Sequence, residues 1–232
     1  MIDFNDRKQV AKAIQYTNVN PNLTREGAIK HLKTCAEYGF QAAMIAPCFI
    51  SLAKDMLKGT GIEVASTLNF PMANDTLAMK LAALKEMIKE GVDQFDFPPN
   101  PGLLIGGEEK AYFEEMKQIV GISHANGVVV KSMLEFGFLN EEQKVRAAQL
   151  ACEAGIDWVK QSSGWGVGGC AAKVEDVRIL KNNIHAPCRV KVSGKVNSLQ
   201  IMKAMFEAGA ELVGTSSGPA IVDGLVGDPN AY

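Results

Sequence analysis

Glu153-Ala154-Gly155-Ile156-Asp157-Trp158-Val159-Lys160-Gln161-Ser162-Ser163-Gly164 reads as a helix end, a glycine turn, a short strand and a loop in one unbroken run. A glycine just past a helix adopts the left-handed conformation that stops it, and the chain then enters extended backbone. The same punctuation recurs at Glu37-Tyr38-Gly39-Phe40, Lys89-Glu90-Gly91-Val92, Ala125-Asn126-Gly127-Val128 and Glu207-Ala208-Gly209-Ala210. Each is the helix-to-strand junction of a parallel sheet. With the β-rich runs 14–19, 62–68 and 188–193 added, eight strands are expected. Between them, Leu77, Leu81, Leu84 and Ile88 fall on one helical stripe. Asn140 with Gln143, and Asn197 with Gln200, have the spacing of capping boxes. Eight such units in 232 residues come to about 29 residues each, the size of a compact (β/α)8 barrel of the TIM type, an α/β fold. The rival, an open doubly wound sheet, calls for a Gly-x-Gly-x-x-Gly turn after the first strand, and none is present. One barrel domain over residues 1–232 is expected, with no linker.

Composition narrows the function classes. Apolar residues make up 47% of the chain and charged residues 22%, which suits a globular protein. A net charge of −2 gives no electrostatic hold on nucleic acid or an anionic membrane, so neither is expected as a partner. The N-terminal run is polar, unlike a signal peptide, and no stretch approaches the roughly 18 apolar residues of a membrane span. The five cysteines are scattered with no Cys-x-x-Cys, a pattern of reduced thiols that fits a cytoplasmic location. The three histidines lack metal-site spacing, and no metal is expected.

The chemistry is expected from lysines. Three strands each carry one within an apolar or small-residue run: Lys131 after Val128-Val129-Val130, Lys160 before Gln161-Ser162-Ser163-Gly164, and Lys191 in Val190-Lys191-Val192-Ser193. Burying an ammonium is costly, and gathering several in one interior is more so. Catalytic groups of such a barrel lie at the C-terminal ends of its strands, with side chains alternating inward and outward. Lys160 then shares a face with Ser162, Lys191 with Ser193, Lys131 with Met133 and Glu135, and Asp96 with Gln94. Two ammoniums about 4 Å apart, at an effective dielectric near 20, repel by roughly 4 kcal/mol. That is about 3 pKa units, enough to free a neutral amine near pH 7. Lys160 is the expected nucleophile, Lys191 the neighbouring charge, Asp96 the proton relay and Lys131 a supporting residue. The bland alternative for each lysine is an outward, solvated side chain.

A second group closes the chain. Ser193-Gly194-Lys195 follows the seventh strand, and Gly214-Thr215-Ser216-Ser217 follows the eighth. Barrels bind phosphate with these two loops, because glycine lets backbone N–H groups approach the oxygens and hydroxyls add donors. Ser162 and Gly164 face the same space, and the glycine-rich 164–169 segment reads as a mobile loop able to close over a ligand. Ordinary turn chemistry is the competing explanation for all of these.

These segments resemble the deoxyribose-phosphate aldolase family of class I aldolases, over most of the chain from Gln15 to Gly224. The densest matches are 153–164, Val174-Glu175-Asp176-Val177-Arg178, 190–194 and 207–218. The resemblance implies a (β/α)8 barrel, a Schiff-base lysine at Lys160, a perturbing lysine at Lys191 and a relay aspartate at Asp96. It implies reversible cleavage of 2-deoxyribose 5-phosphate to acetaldehyde and glyceraldehyde 3-phosphate, with no metal or other cofactor. The departures fall around the site. Gln15 stands where the family has aspartate, Ala46 where asparagine precedes proline, and Gln161 where threonine is usual. Gly194-Lys195-Val196-Asn197 replaces Gly-Gly-x-Arg. Some family members end in a tyrosine that reaches the site, and this chain ends in Tyr232.

The expected function is therefore a carbon–carbon lyase acting on a small phosphorylated sugar or aldehyde. The alternatives are a Schiff-base aldolase with another sugar phosphate or donor, a non-catalytic sugar-phosphate-binding barrel, and an isomerase or decarboxylase using carboxylates. Self-association into a homo-oligomer stays open.

Overall fold

The computed structural model describes residues 2–228 and closes eight parallel strands into a barrel in sequential order. The strands are β1 (Ile14–Asn18), β2 (Ala42–Ile45), β3 (Glu63–Thr67), β4 (Gln94–Phe97), β5 (Val129–Met133), β6 (Trp158–Lys160), β7 (Arg189–Ser193) and β8 (Leu212–Thr215). The helices are α1 (Arg7–Lys12), α2 (Arg25–Tyr38), α3 (Ile50–Met56), α4 (Leu77–Lys89), α5 (Pro101–Ile105), α6 (Glu109–Ala125), α7 (Glu141–Ala154), α8 (Val174–Asn183), α9 (Leu199–Glu207) and α10 (Gly218–Val222). The five junction glycines all have positive φ, from 67° at Gly39 to 116° at Gly209, as their places after helix ends require.

The core has two unequal parts. Outward-facing strand residues such as Val130, Val159, Val190, Val192 and Val213 pack against the helices in one large apolar cluster. Inside the barrel, Val19, Ala42, Met44 and Ala65 form only a small one. The rest of the lumen mixes Met133, Trp158 and Leu212 with buried polar groups, among them Gln15, Gln94, Asp96 and the three lysines, which departs from the branched aliphatic layers that usually fill such barrels.

Asn140 and Gln143 form the expected capping box at the start of α7. At α9 the expectation is corrected. Ser198, not Asn197, is the cap, and its hydroxyl accepts from the Ile201 N–H. A serine one residue later does the same work, while the Asn197 carbonyl accepts from the Gly227 N–H. The 77–88 stripe is only partly right. Lys80 also lies on the buried face of α4, paired with Glu115 of α6 at 2.8 Å.

Candidate active site

Strand register builds the site. Asp96 stands opposite Lys131, and Lys160 opposite Lys191, so four inward side chains meet near the C-terminal ends of β4 to β7. Each of the four is 2% exposed or less. Asp96 Oδ2 takes Lys191 Nζ at 2.7 Å and Lys160 Nζ at 3.0 Å, and Lys131 Nζ lies 3.7 Å from Oδ1. Three amines thus share one carboxylate. The solvated-lysine alternative fails for all three.

The electrostatics follow from burial and charge. Burial pushes the Asp96 carboxyl up, but the charges of Lys191, Lys160 and Lys131 outweigh it and hold the group well below the usual carboxylate range. Burial pushes Lys191 well below an ordinary lysine. Asp96 opposes that shift, while Lys160 and Lys131 add to it. Lys131 is pushed down to about 8, first by burial, against the pull of Asp96 and Glu63. If all three amines carried protons, the cluster would hold two positive charges in excess. Such a group releases a proton readily, and its titration belongs to the cluster as a whole.

Two further strands shape the space around Lys191. Gly214 of β8 leaves room for it, since a Cβ there would sit 3.0 Å from Lys191 Cε and 2.5 Å from Ser193 Oγ. Gln15 of β1 is wholly buried, and its Oε1 accepts from Lys191 Nζ at 2.5 Å. Where a carboxylate would have added charge, a neutral amide supplies only an acceptor.

The loops after β6, β7 and β8 lie side by side. Gly194, at φ 98°, packs so closely on the Cys170 carbonyl that no side chain fits. Lys195 follows in left-handed backbone, φ 55°, with its side chain exposed. The Thr215 hydroxyl donates to the Val196 carbonyl at 2.7 Å and accepts from the Ser217 N–H at 3.0 Å, tying the last two loops together. Ser216 is half-buried and Ser217 buried beside them. Ser162 Oγ accepts from the N–H groups of Gly164 and Cys170, so one hydroxyl closes the base of the 164–169 segment. In that segment Trp165 meets the Phe70 ring edge-on, and Gly168 packs against Phe138. Gln161 points away from the lumen and donates to the Ser193 carbonyl, so this departure joins β6 to β7 and does not face the site. Ala46, half-buried, opens the one-turn 3-10 helix at 47–49. Tyr232 lies outside the described residues.

Glu135 is the residue most easily overlooked. It is 3% exposed, sits in left-handed backbone at φ 48°, and its Oε1 accepts from the Ser163 N–H at 2.5 Å. Burial pushes its carboxyl up to about 7, against that hydrogen bond and the nearby Lys160 charge. Its inward parity with Lys131 was the available signal. Among the described residues, no group of three or more His, Cys, Asp or Glu side chains is placed to hold a metal ion, and no helix is long and apolar enough to cross a membrane.

A buried amine cluster around one carboxylate, at the C-terminal end of a parallel barrel, suits carbonyl chemistry through an imine. The fold and site together define a barrel aldolase, a carbon–carbon lyase of class I. No protein-family model matches the chain. The deoxyribose-phosphate aldolase of Caldanaerobacter subterraneus subsp. tengcongensis is 38% identical over 215 residues, covering 92% of each chain. That of Thermococcus kodakarensis is 37% identical over 221 residues, covering 94% of this chain and 98% of its own. The tetrameric deoxyribose phosphate aldolase of Aeropyrum pernix superposes with a TM-score of 0.87 at 24% identity, covering 94% of this chain and 92% of the other, a likeness of fold. The chain belongs to the deoxyribose-phosphate aldolase family.

Proposed function

We propose that the protein cleaves 2-deoxyribose 5-phosphate reversibly to acetaldehyde and glyceraldehyde 3-phosphate, with Lys160 as the imine-forming residue. The neutral Lys160 amine adds to the C1 aldehyde of the open-chain sugar, giving a carbinolamine. Asp96 and Lys191 move the proton that lets hydroxide leave as water, and an iminium forms. Loss of the C3 hydroxyl proton breaks the C2–C3 bond. Glyceraldehyde 3-phosphate departs, and the electron pair stays on C2 as an enamine. Protonation at C2 and addition of water release acetaldehyde and restore the amine. The phosphate is held at the loops of Ser193, Gly194 and Lys195 and of Gly214, Thr215, Ser216 and Ser217, while Ser162 and Gly164 form the adjoining wall.

The observation that carries this reading is the contact of Lys160 and Lys191 with one oxygen of the buried Asp96 carboxylate, at 3.0 and 2.7 Å. One group near the attacking amine can then accept a proton while another supplies one. Borohydride reduction in the presence of 2-deoxyribose 5-phosphate, followed by peptide mapping, tests the reading. The adduct is expected on the peptide carrying Lys160, and Lys160→Ala should be inert. Label on another lysine, or activity surviving in Lys160→Ala, would overturn it.

A further inference from the structure

The partner of Lys191 on β1 belongs to a longer chain of amides with a fixed sense. Gln15 Nε2 donates to Gln94 Oε1 at 2.6 Å and to Gln41 Oε1 at 2.8 Å. Gln94 and Gln41 each donate in turn to Glu63 Oε2, at 2.5 and 2.7 Å. Glu63 is exposed at the start of β3, at the end of the barrel away from the lysines. An ionised carboxylate only accepts, so both neighbouring amides must turn their NH2 groups towards it. Their oxygens then face Gln15, which must offer its NH2 to them and its own oxygen to Lys191. The charge at one mouth of the barrel therefore dictates which end of an amide meets the amine at the other.

We propose that Gln15 is a positioning residue for Lys191. Oriented from Glu63 through Gln41 and Gln94, it holds the amine on Asp96 while adding no charge, and so sets the pH at which the cluster gives up its proton. The groups facing Lys191 are few. They are Asp96 from β4, Lys131 from β5, Lys160 from β6, the neutral Gln15 from β1 and the bare Gly214 from β8. Strand β2 presents Ala42 and Met44 to the lumen, β7 adds Ser193, and the titratable group of β3 is Glu63 itself. Among the described residues Asp96 is thus the one carboxylate within 4 Å of the three lysine amines, and residue 15 is where a second would enter.

The inference rests on the proposed reaction only for its activity readout, so the test has two readouts. Lysine labelled with 13C at Cε reports the titration of Lys191 directly, assigned by its loss in Lys191→Arg. The acid limb of kcat/KM for 2-deoxyribose 5-phosphate reports the working pH. In Gln15→Glu a new carboxylate beside the amine should move both towards alkali by about 1 to 3 pH units. In Glu63→Gln, at the exposed end and tolerant of substitution, loss of the orienting charge should move both towards acid by a smaller step. A structural role alone would change the melting temperature and leave both midpoints in place, and that result overturns the proposal. A Lys191 midpoint that moves without the activity limb also overturns the claim about working pH. If the wild type turns over no substrate, the proposed function falls, and the NMR midpoints alone decide whether Gln15 governs Lys191.

Discussion

Asp96 is the counter-charge that three lysines share, and substitutions around it should separate their roles. Asp96→Asn leaves three amines without a counter-ion. Removing one partner of a buried pair costs about 3–5 kcal/mol, so this variant should lose stability in urea and activity together. Lys191→Leu takes a positive charge out of the cluster, and the acid limb of kcat/KM should move to higher pH. An unmoved limb would count against the coupling. Gly214→Ala is subtler, because its added Cβ meets the Lys191 stem and Ser193 Oγ, not the reacting atoms. Displacing a catalytic group by about 1 Å can lower a rate by about 10²-fold, so kcat should fall steeply while the melting temperature changes little. The lysines and Asp96 were legible because a two-residue period and an apolar strand leave a charge nowhere else to go. Gln41 and Glu63 were not. One precedes its strand and the other is exposed at a strand start, so neither carries a burial signal. Gln161 misled for a related reason, because a polar residue next to an inward lysine points the opposite way by that same alternation.

Helices and loops carry a second layer of order. Lys80 and Glu115, 0% and 6% exposed at the side chain, join α4 to α6. Lys80 Nζ also donates to the Ala73 carbonyl at 2.6 Å, and Glu115 Oε1 accepts from the Asn100 N–H at 3.0 Å. This pair therefore anchors the loops that follow β3 and β4. Glu115→Gln should destabilise the fold by about 3–5 kcal/mol in urea titration by leaving an uncompensated ammonium, and a loss under 1 kcal/mol would refute that role. The helix stripe in the sequence concealed Lys80, which sits three residues past Leu77 and one turn before Leu84. The glycine junctions were read correctly because positive φ after a helix is a local demand that glycine meets almost alone. At the 164–169 segment the glycine content was legible, while its contacts with Phe70 and Phe138 come from distant parts of the chain and left no local signal.

For the molecule as a whole, the lysine cluster opposes folding at neutral pH. Lys131 titrates at about 8 in the folded protein, against 10.5 when exposed. The unfolded chain therefore binds more protons between those values, and stability should rise with pH across that window. Below pH 8 the full penalty applies, about 3 kcal/mol at 1.36 kcal/mol per pKa unit. Lys131→Met should then be more stable than the wild type at pH 7, and its share of the rise between pH 8 and 10.5 should vanish. Urea denaturation at pH 7 and pH 10 measures both, and a less stable variant at pH 7 would refute the penalty. Glu135 acts with the opposite slope. With its folded pKa raised to about 7 from 4.5, its contribution is full below 4.5 and lost as pH rises through 7.

Barrel closure has a temporal consequence. β8 pairs with β1, so Gly214 comes to lie beside Gln15 only when the two ends of the chain have met. Until then the two strands bearing Lys160 and Lys191, β6 and β7, enclose no finished interior. A chain still emerging from the ribosome, or one cut short before its last strand, carries Asp96 and all three lysines and yet lacks the closed barrel that buries them together. The crowded amines therefore come together in the same event that seals them from the solvent.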